Sequence, residues 1–408
     1  MSRNVTCAFS AAKDAHMTML YFDFNATTPL SHKSKAAILG MLDQFANPSS
    51  KYSLSRHLTT LIKGAKDSMA QLVGGDAQRI IFTSGGTESN NLALHSVFSQ
   101  FPATQLSRYH AICSAIEHSS ILETLFWYQK KGLNLTLIEP KENGRIDLEK
   151  LNRTITPQTC LIALMAINNE TGVIQPYDEL AVSLKGKGIH LHIDAVQAVG
   201  KWPLPRFDDI PLTLSFSGHK FYAPKGIGGL YYSQQVKIYP LLHGGGQEYG
   251  LRSGTENTLG IAGLAAAAEE ACQELPQRLQ YCQKMRSHFL NQLDKSGINY
   301  HLNGETNPEF QAPWTLNISF PGIRAEALAN RLDLCHGISV SLGSACSNNS
   351  TSPKRSHVLL AMHAPYSYID SALRISFGHF TELWAINVLV NALQQEIQHL
   401  LTMSGEQI

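Results

Sequence analysis

A lysine at the end of an apolar strand pattern is the residue whose setting points most directly to covalent chemistry. Lys220 follows Ser217, Gly218 and His219, directly after an apolar run. A lysine in such a place can be partly desolvated, and a desolvated amine can serve as a Schiff-base nucleophile. Most lysines are solvated surface residues, and Lys225, within a Pro-Lys-Gly turn, is the better candidate for that ordinary role.

Three polar residues alternate along the strand pattern that precedes this one. His190, His192 and Asp194 fall on one face of a strand, because side chains alternate with period two. Two imidazoles and a carboxylate can bind zinc or iron, which would suit a metal-dependent hydrolase. Asp194 can also be interpreted as a buried carboxylate that faces a pyridinium nitrogen of a cofactor. The histidines can equally be hydrogen-bonded polar residues of the sheet, and the residues alone leave these hypotheses open.

A glycine turn opens a helical pattern at residues 84–91. It contains Gly86 and Thr87 and follows a predicted strand. The backbone N–H groups at a helix start, the helix dipole and the Thr87 hydroxyl could together hold a phosphate group. A plain helix N-cap with a glycine turn explains the same residues, so the motif alone does not decide between the two.

A cysteine and an arginine near the C-terminus complete the set of candidate residues. Cys346 stands at the entry to a polar stretch, 347–356, that has no apolar periodicity, and a thiolate in such a place can be accessible. The other six cysteines lack this setting and are expected to be inert. Arg374 lies within an apolar strand pattern, so it needs a carboxylate partner from the protein or from a substrate.

The composition limits the class of protein. The 408 residues include 33 Lys and Arg against 32 Asp and Glu, and the resulting net charge of +1 argues against a protein that binds nucleic acid directly or lies on anionic lipid. With 43% hydrophobic and 16% charged residues the chain is expected to be globular, and no run reaches the roughly 18 apolar residues of a membrane-spanning helix. The 7 cysteines include no C-x-x-C pair, which fits reduced thiols in a cytoplasm.

Short apolar runs rich in β-branched residues alternate with helical patterns over residues 79–232. This alternation predicts an α/β fold in which a mostly parallel seven-stranded sheet is flanked by helices. The predicted strands are 79–83, 111–114, 135–139, 160–167, 189–194, 212–217 and 229–232. Several end in polar residues and glycine, and because ligands bind beyond the carboxyl ends of strands in open α/β sheets, these loops are expected to line one site.

A long Ala-rich helix, from 258 to about 293, is predicted to carry the chain out of this first domain. Beyond it, strand and helix patterns alternate again, which indicates a smaller α+β domain. These patterns are strands at 316–320, 338–341 and 372–377 and a helix at 325–333. The predicted division is an N-terminal segment, 1–29, that packs with the small domain, a large domain, 30–275, and a small domain, 276–408, that carries Cys346.

Ten short motifs occur in an order that is more specific than any one of them. They are Asn25-Ala26-Thr27-Thr28-Pro29, Asn47-Pro48-Ser49-Ser50, Ser84-Gly85-Gly86-Thr87-Glu88-Ser89-Asn90-Asn91, Glu117-His118, Asn168-Asn169-Glu170-Thr171-Gly172, His192-Ile193-Asp194-Ala195-Val196-Gln197, Ser217-Gly218-His219-Lys220, Gly244-Gly245-Gly246-Gln247-Glu248, Arg252-Ser253-Gly254-Thr255-Glu256-Asn257 and Gly343-Ser344-Ala345-Cys346. From about Tyr21 to about Thr381 the chain therefore resembles the cysteine desulfurases of the class V aminotransferase family.

The resemblance implies a fold-type I pyridoxal-phosphate enzyme, a homodimer whose active sites lie at the subunit interface, with the cofactor bound by the large domain. It implies that Lys220 binds the cofactor as a Schiff base, that Asp194 pairs with its pyridinium nitrogen and that His118 stacks on its ring and moves protons. The other residues that the resemblance assigns to the cofactor are Gln197 at the ring hydroxyl and Gly86, Thr87, Ser217, His219 and, from the partner subunit, Thr255 at the phosphate.

The resemblance also implies the reaction. Asn169 and Arg374 would place free L-cysteine, whose sulfur would pass to the Cys346 thiolate as a persulfide while L-alanine is released. The polar stretch after Cys346 resembles the desulfurases that hand sulfur to scaffold or carrier proteins, for iron–sulfur cluster assembly or for nucleic-acid thio-modification. A selenocysteine lyase on the same scaffold is the alternative, and a metal-dependent hydrolase built on His190, His192 and Asp194 is the alternative from another class.

Overall fold

The computed structural model describes residues 20–207, 209–342 and 355–404. In this part of the chain the strands are β1 (Leu20–Tyr21), β2 (Ile80–Thr83), β3 (His110–Ser114), β4 (Asn134–Ile138), β5 (Thr159–Ala163), β6 (His190–Asp194), β7 (Leu212–Ser217), β8 (Gly228–Tyr232), β9 (His301–Leu302), β10 (Thr315–Ser319), β11 (Ile338–Ser339) and β12 (Ala372–Ser376). The helices are α1 (His32–Met41), α2 (Ser53–Val73), α3 (Gly86–Phe98), α4 (Ser119–Lys130), α5 (Leu148–Thr154), α6 (Tyr177–Ser183), α7 (Thr258–Ser296), α8 (Ala325–His336), α9 (His357–Ala361), α10 (Tyr366–Asp370) and α11 (Leu383–Ser404).

The large sheet confirms the predicted α/β fold class. Its seven strands in the described residues run in the order β2-β8-β7-β6-β5-β3-β4. The pairs from β7 through β4 are parallel, and β8 is antiparallel to both of its neighbours. The strand predicted at 160–167 is too long, because β5 ends at Ala163 and Ile167 instead pairs with Ile174 in an antiparallel bridge. Apolar character continues past the end of the strand, so hydrophobicity alone could not mark that end.

The carboxyl ends of the strands place the candidate loops at one edge of the sheet. Strands β3, β5, β6 and β7 are parallel neighbours. Strand β2 runs in the same direction, since it is antiparallel to β8 and β8 is antiparallel to β7. The strand ends Thr83, Ser114, Asp194 and Ser217 therefore lie at the same edge, which is where ligands bind in sheets of this type.

The second part of the fold is a small antiparallel sheet with the order β12-β10-β9, beside the parallel pair β1 and β11. Strands β10, β11 and β12 and helix α8 confirm the predicted pattern of strands and helix in the C-terminal part. Helix α7 links the two parts. Its first half, including Ile261 and Leu264, packs in the core under the large sheet, and its second half, including Met285 and Phe289, packs in a separate core with β10 and β12.

The ends of α7 have clear local causes. The Asn257 side chain accepts a hydrogen bond from the backbone N–H of Gly260 at 2.9 Å, and Gly297 ends the helix with φ of 72°, a conformation that glycine adopts without strain.

No helix in residues 20–404, as far as the structure describes them, is both long and apolar enough to cross a membrane. The predicted boundary at residue 275 falls within α7 and stays a prediction.

The N-terminal segment reaches both parts of the fold. Strand β1 pairs with β11, and Asp23 forms a bridge to Ser376 at the end of β12. The backbone N–H of Thr28 donates to the carbonyl oxygen of His219 at 2.9 Å, which fixes the segment over the turn after β7. Residues 24–29 therefore lie across the edge of the large sheet where the strand ends meet.

Candidate active site

Lys220 lies in a single turn after β7, at the edge of the sheet where the predicted loops meet. Its Nζ donates hydrogen bonds to the carbonyl oxygens of Asn25 and Ala26, both at 2.8 Å. The turn is fixed from the other side, because the Thr28 hydroxyl donates to the His219 carbonyl oxygen at 3.0 Å and accepts from the backbone N–H of Tyr222 at 2.8 Å. The N-terminal segment thus holds the lysine amine in one place.

Asp194 ends β6 as a buried carboxylate, 5% exposed. Its Oδ1 accepts a hydrogen bond from the backbone N–H of Val196 at 3.0 Å, and its Oδ2 accepts one from Asn90 Nδ2 at 2.7 Å. Both oxygens therefore have fixed donors, and the carboxylate has one orientation. A buried carboxylate of this kind is suited to pair with a cationic ring nitrogen.

Gln197 follows one turn after Asp194 and is also buried. Its Nε2 donates to the Asn25 carbonyl oxygen at 3.0 Å, the same oxygen that accepts from Lys220. Its Oε1 accepts a hydrogen bond from Lys201 Nζ. Burial, and then the charge of Lys220, lower the pKa of Lys201 well below its usual value. The hydrogen bond from its Nζ orients the amide of Gln197.

The start of α3 forms a cluster of backbone donors beside β7. Gly85 is the N-cap and, among the described residues, no side chain caps this helix, so its first-turn N–H groups remain available for an anion. A Cβ on Gly86 would lie 2.7 Å from Val196 Cγ2, and one on Gly85 would lie 3.6 Å from Ser217 Oγ. The Ser217 hydroxyl therefore lies beside this turn, and Thr87 is exposed at the first turn of the helix.

Two histidines flank the site. His219 Nδ1 lies 3.1 Å from Thr27 Oγ1, and burial, then the charge of Lys220, lower the pKa of His219 to about 4. His118, half-buried, is the N-cap of α4, and its Nδ1 accepts from the backbone N–H of Ser120 at 3.1 Å. His219 is therefore neutral near pH 7 and can donate one ring N–H to an anion.

Thr255, like Thr87, is exposed. It lines a cavity of about 140 Å³ together with Ser84, Gly226 and Arg252. Arg252 lies at the side of this cavity and forms a bidentate ion pair with Glu88 of α3, with distances of 2.8 and 3.2 Å. The prediction that Thr255 acts across a subunit interface stays a prediction.

Arg374 lies on β12, 4% exposed, and the protein itself supplies a carboxylate partner. Arg374 NH2 donates to Asp23 Oδ1 at 2.7 Å, and NH1 donates to the Asn169 carbonyl oxygen at 3.2 Å. The Nε atom is buried and lacks a hydrogen-bond partner in the described part of the chain. An orphaned guanidinium N–H beside the site is a donor that a substrate carboxylate could satisfy. Asn169 lies beside Arg374 and the N-terminal segment, because its carbonyl oxygen also accepts from Asn25 Nδ2 at 3.2 Å.

The three residues of the metal hypothesis lie on one face of β6 as predicted, but hydrogen-bond partners separate them. His190 Nε2 and His192 Nδ1 both contact the Thr213 hydroxyl, at 2.8 and 2.9 Å. Asn90 lies between His192 and Asp194. Among the residues that the structure describes, no group of three His, Cys, Asp or Glu side chains is arranged to hold a metal ion. The metal-dependent hydrolase therefore has no support from this geometry.

The candidate cysteine, Cys346, lies outside the described residues, which omit 343–354. Five other cysteines are described as free thiols: Cys113, Cys160, Cys272, Cys282 and Cys335. Burial raises the pKa of Cys160 and Cys282 to about 12, and it raises the pKa of Cys113 well above its usual value. These three thiols are protonated near pH 7, which matches the expectation that they are inert.

Several residues at the site carried no prediction. Asn25 begins the Asn-Ala-Thr-Thr-Pro motif. No sequence pattern indicates that its carbonyl oxygen accepts hydrogen bonds from both Lys220 and Gln197. Asp23 and Arg374 are 351 positions apart, so their pair could not be read from local spacing. The sequence did offer one signal for Asp23, which is its charge two positions before the Asn-Ala-Thr-Thr-Pro motif.

Glu117, next to His118, is a fully buried carboxyl whose titration gives a testable pH effect. Burial raises its pKa to about 8, while its Oε1 accepts from the Met165 backbone N–H at 2.7 Å. Between its usual pKa of 4.5 and about 8 the folded protein holds a proton that the unfolded chain releases, so stability falls as pH rises through this window. The Glu117→Gln variant is expected to lack this loss. Its free energy of unfolding should therefore rise relative to that of the wild type by up to about 1.4 kcal/mol per pH unit through this window. Urea unfolding of both proteins at pH 5, 6.5 and 8 measures the difference.

The exposed Glu149→Gln is the matched control, since that side chain lies 82% exposed on the surface in an i,i+4 pair with Arg153. Its stability relative to the wild type should show almost no dependence on pH. A Glu117→Gln difference that stays constant from pH 5 to 8 would mean that this carboxyl is ionised in the folded protein.

Known proteins share both the sequence and the architecture of this chain. Residues 20–389 match the family described as Aminotransferase class-V. The cysteine desulfurase IscS of Dictyoglomus turgidum (strain DSM 6724 / Z-1310) is 37% identical over 387 residues, which are 94% of this chain and 96% of that protein. A solved structure of a NifS-like protein has a TM-score of 0.85 at 33% identity and covers 94% of this chain and 100% of its own. A structure of SspA in complex with cysteine has a TM-score of 0.75 at 31% identity, covering 88% of this chain and 99% of its own.

Proposed function

The chain belongs to the class-V aminotransferase family, and on that premise we propose that it is a pyridoxal-phosphate-dependent cysteine desulfurase. The observation that carries the proposal is the placement of Lys220. Its amine and the Gln197 amide donate to one carbonyl oxygen, that of Asn25, at the sheet edge where Asp194 also ends its strand. A lysine, a buried carboxylate and an amide at one edge are the groups that a Schiff-base cofactor with a pyridine ring requires.

The chemistry of the donors fits pyridoxal phosphate. We assign its phosphate to the uncapped start of α3 at Gly86 and Thr87, with the Ser217 hydroxyl and His219 beside it. Thr255 of the partner subunit would complete this anion site. These groups are neutral hydrogen-bond donors, so the helix dipole and the N–H and O–H groups carry the attraction to the phosphate.

The remaining polar groups suit the ring and its attachment. Lys220 would bind the cofactor, Asp194 would hold the ring nitrogen protonated, and Gln197 would donate to the ring hydroxyl. His118 would lie on the ring and move protons with its imidazole. Bound pyridoxal phosphate supplies an electron-withdrawing ring that acidifies the Cα–H of an attached amino acid.

The sulfur transfer balances without a further oxidant. The Cys346 thiolate attacks the sulfur of L-cysteine, an S–S bond forms as the C–S bond of the substrate breaks, and the electron pair of that bond stays on carbon, which takes up a proton. The products are a persulfide on Cys346 and L-alanine. A thiol reductant, which becomes a disulfide, then releases sulfide and restores the Cys346 thiol.

Asn169 and Arg374 would place the substrate. The orphaned Nε of Arg374 is the donor that a carboxylate would satisfy, and Asp23 holds the guanidinium in position through its NH2 group. Arg374→Lys is expected to raise KM for L-cysteine by about tenfold or more, with a smaller effect on kcat, because an ammonium cannot form the planar pair.

Steady-state kinetics of alanine formation measures this effect. The matched control is Arg331→Lys, since Arg331 of α8 forms an ion pair with Glu396 of α11 and has no role in the proposed site. An Arg374→Lys enzyme with an unchanged KM would remove Arg374 from the substrate site.

A homodimer would cover apolar side chains that one chain leaves exposed. They lie on α1 and α2, between these helices and in the loop after β8, and Phe45 and Tyr249 are 88% and 83% exposed. The other members are Leu39, Leu42, Tyr52, Leu54, Leu241 and Leu242. So many exposed apolar groups are typical of an interaction surface. Light scattering of the purified protein should give twice the mass of the chain, and a monomeric mass would refute the shared active site.

The location and the sulfur acceptor that we propose are supported by the free thiols and by the net charge of the chain. Five free thiols in the described part of the chain fit a reducing, cytoplasmic location. The balanced net charge of +1 gives no attraction to nucleic acid, so the sulfur acceptor would be a scaffold or carrier protein.

The test is the formation of alanine from L-cysteine by the purified full chain, supplied with pyridoxal phosphate and a thiol reductant. Alanine and sulfide in equal amounts are the expected result. Alanine from selenocysteine but not from cysteine would replace the desulfurase with a selenocysteine lyase. If neither substrate yields alanine and the protein binds no pyridoxal phosphate, the proposal is wrong.

A further inference from the structure

The histidines of β6 have no role in the proposed reaction, yet they belong to a continuous chain of buried hydrogen bonds that ends on Asp194. His190 contacts Thr213, Thr213 contacts His192, and His192 Nε2 contacts Asn90 Oδ1 at 3.0 Å. Asn90 Nδ2 then donates to Asp194 Oδ2 at 2.7 Å. All five side chains are buried, with Asn90 1% and Thr213 0% exposed, so solvent does not compete for these contacts.

The direction of every hydrogen bond in this chain follows from chemistry. The Asp194 carboxylate only accepts, so the Asn90 atom beside it must be the NH₂ group, and the Asn90 oxygen must face His192. His192 Nε2 therefore carries a proton. Burial lowers the pKa of His192 to about 3, so its ring is neutral near pH 7 and Nδ1 carries no proton.

The same argument reaches the far end of the chain. Since His192 Nδ1 accepts, the Thr213 hydroxyl must donate to it, and its oxygen must accept from His190 Nε2. All the protons thus point from His190 toward Asp194. Aligned hydrogen bonds in a buried chain polarise one another in the same direction.

Asn90 also reaches the second residue that flanks the proposed cofactor. The other N–H of its amide donates to Ser120 Oγ at 2.8 Å, and Ser120 Oγ lies 2.8 Å from His118 Nδ1. The Ser120 backbone N–H also donates to this Nδ1. Because the Ser120 backbone N–H donates to His118 Nδ1, this nitrogen carries no proton in a neutral ring, so the Ser120 hydroxyl donates to it and the ring proton is on Nε2.

We propose that Asn90 is a positioning residue that fixes the Asp194 carboxylate and the His118 ring together, and that His192 sets the orientation of its amide. This inference rests on the proposed function, because the two residues that Asn90 joins are those assigned to the cofactor ring. His192, held by Thr213 and His190, prevents the Asn90 amide from flipping, since a flip would direct its N–H toward the protonated Nε2 and its oxygen toward the carboxylate. The paired histidines of β6 therefore act as a support for Asp194.

Neutron diffraction of the perdeuterated protein without added cofactor tests the direction of the chain. The expected result is deuterium on His192 Nε2 with none on its Nδ1, and two deuterons on the Asn90 atom nearest Asp194. Deuterium on His192 Nδ1, or an Asn90 oxygen facing Asp194, would overturn the inference. This measurement does not depend on the proposed cofactor.

Equilibrium binding of pyridoxal phosphate to the full chain tests the role toward the cofactor. Asn90→Leu removes all three amide contacts at similar volume and is expected to weaken binding about tenfold and to shift the visible absorbance of the bound cofactor. His192→Leu should have an effect in the same direction. His192→Gln should restore affinity and absorbance, because glutamine can place an amide N–H where His192 Nε2 lies.

Asn303→Leu is the matched control for loss of a buried asparagine, since Asn303 donates to Asn317 Oδ1 and Ser319 Oγ in the small sheet. It should lower stability without a change in cofactor absorbance. Asn90→Leu protein that binds the cofactor with wild-type affinity and absorbance would refute the positioning role. If the wild-type protein itself fails to bind pyridoxal phosphate, the proposed function and the cofactor role of Asn90 both fail, whatever the deuterium positions are.

Discussion

Lys220→Ala protein is expected to lose its cofactor on dialysis and to form no measurable alanine from L-cysteine. Two effects combine at this position. The variant lacks the amine that would form the covalent bond to the cofactor and that would remove and return a proton. In the wild type this amine is held by the carbonyl oxygens of Asn25 and Ala26. Loss of a nucleophile that is also the base lowers turnover by about a thousandfold or more.

The measurement combines absorbance of the dialysed protein in the visible range with alanine formation under saturating pyridoxal phosphate. Lys225→Ala is the matched control, because Lys225 is an exposed lysine of the same turn region, five residues away. That variant should retain cofactor and turnover. A Lys220→Ala protein that keeps its absorbance band through dialysis and turns over normally would mean that another lysine binds the cofactor.

Lys201 is the other lysine of the site that must be compared with Lys220 as a nucleophile. It is a half-buried lysine near the site, and burial lowers its pKa well below the usual value, so on grounds of pKa alone it could also be a nucleophile. Its Nζ is directed to Gln197 Oε1 and lies 5.2 Å from the centre of the Trp314 ring. The geometry thus assigns Lys201 to the support of Gln197 and leaves Lys220 at the strand end.

Much of the sheet could be predicted from the sequence, because each strand of an α/β sheet is a short apolar run that ends in polar residues. Six of the seven predicted strands lie within about one residue of the observed bounds, and the exception is the run at 160–167. There the polypeptide stays apolar beyond Ala163 because residues 164–167 are buried in the core next to the sheet. The backbone N–H groups of Leu164 and Ala166 also donate to the carbonyl oxygens of His192 and Asp194 on β6, so the run continues along the sheet beyond the last residue of β5.

The strand ends also predicted where the site would lie, since Asp194, Ser217 and the turn before α3 are local features of single strands. The contacts that complete the site could not be predicted in the same way. Arg374 and Asp23 meet through β12 and the N-terminal segment, and Asn90 meets His192 through α3 and β6. Such pairs depend on the packing of remote elements, so no spacing within one segment contains them.

His190 and His192 show how one pattern can support two kinds of chemistry. The alternation correctly predicted that they share a face of β6 with Asp194. A metal site also needs the ligand atoms to converge on one point, and here a threonine from β7 and an asparagine from α3 lie between them. Period-two spacing fixes the face of a strand, but it contains no information about which neighbouring side chains occupy the space.

Cys346→Ser protein is expected to bind pyridoxal phosphate like the wild type while losing persulfide formation and sulfide release. A serine hydroxyl is not ionised near pH 7 and cannot form the S–S bond that accepts the sulfur of L-cysteine. Lys220, Asp194 and the start of α3 are unchanged, so cofactor absorbance should be retained. Sulfide production should fall by about a thousandfold or more, since the group that is removed forms the bond.

The assay measures alanine and sulfide together, and mass spectrometry of the protein without reductant detects an added sulfur atom. Cys335→Ser is the matched control, because Cys335 is exposed on α8 and its thiol is free. The control protein should gain one sulfur atom per chain when it is given L-cysteine, whereas Cys346→Ser protein should gain none. Normal sulfide production by the Cys346→Ser protein, with loss of activity in Cys335→Ser, would transfer the acceptor role from Cys346 to the exposed thiol of α8.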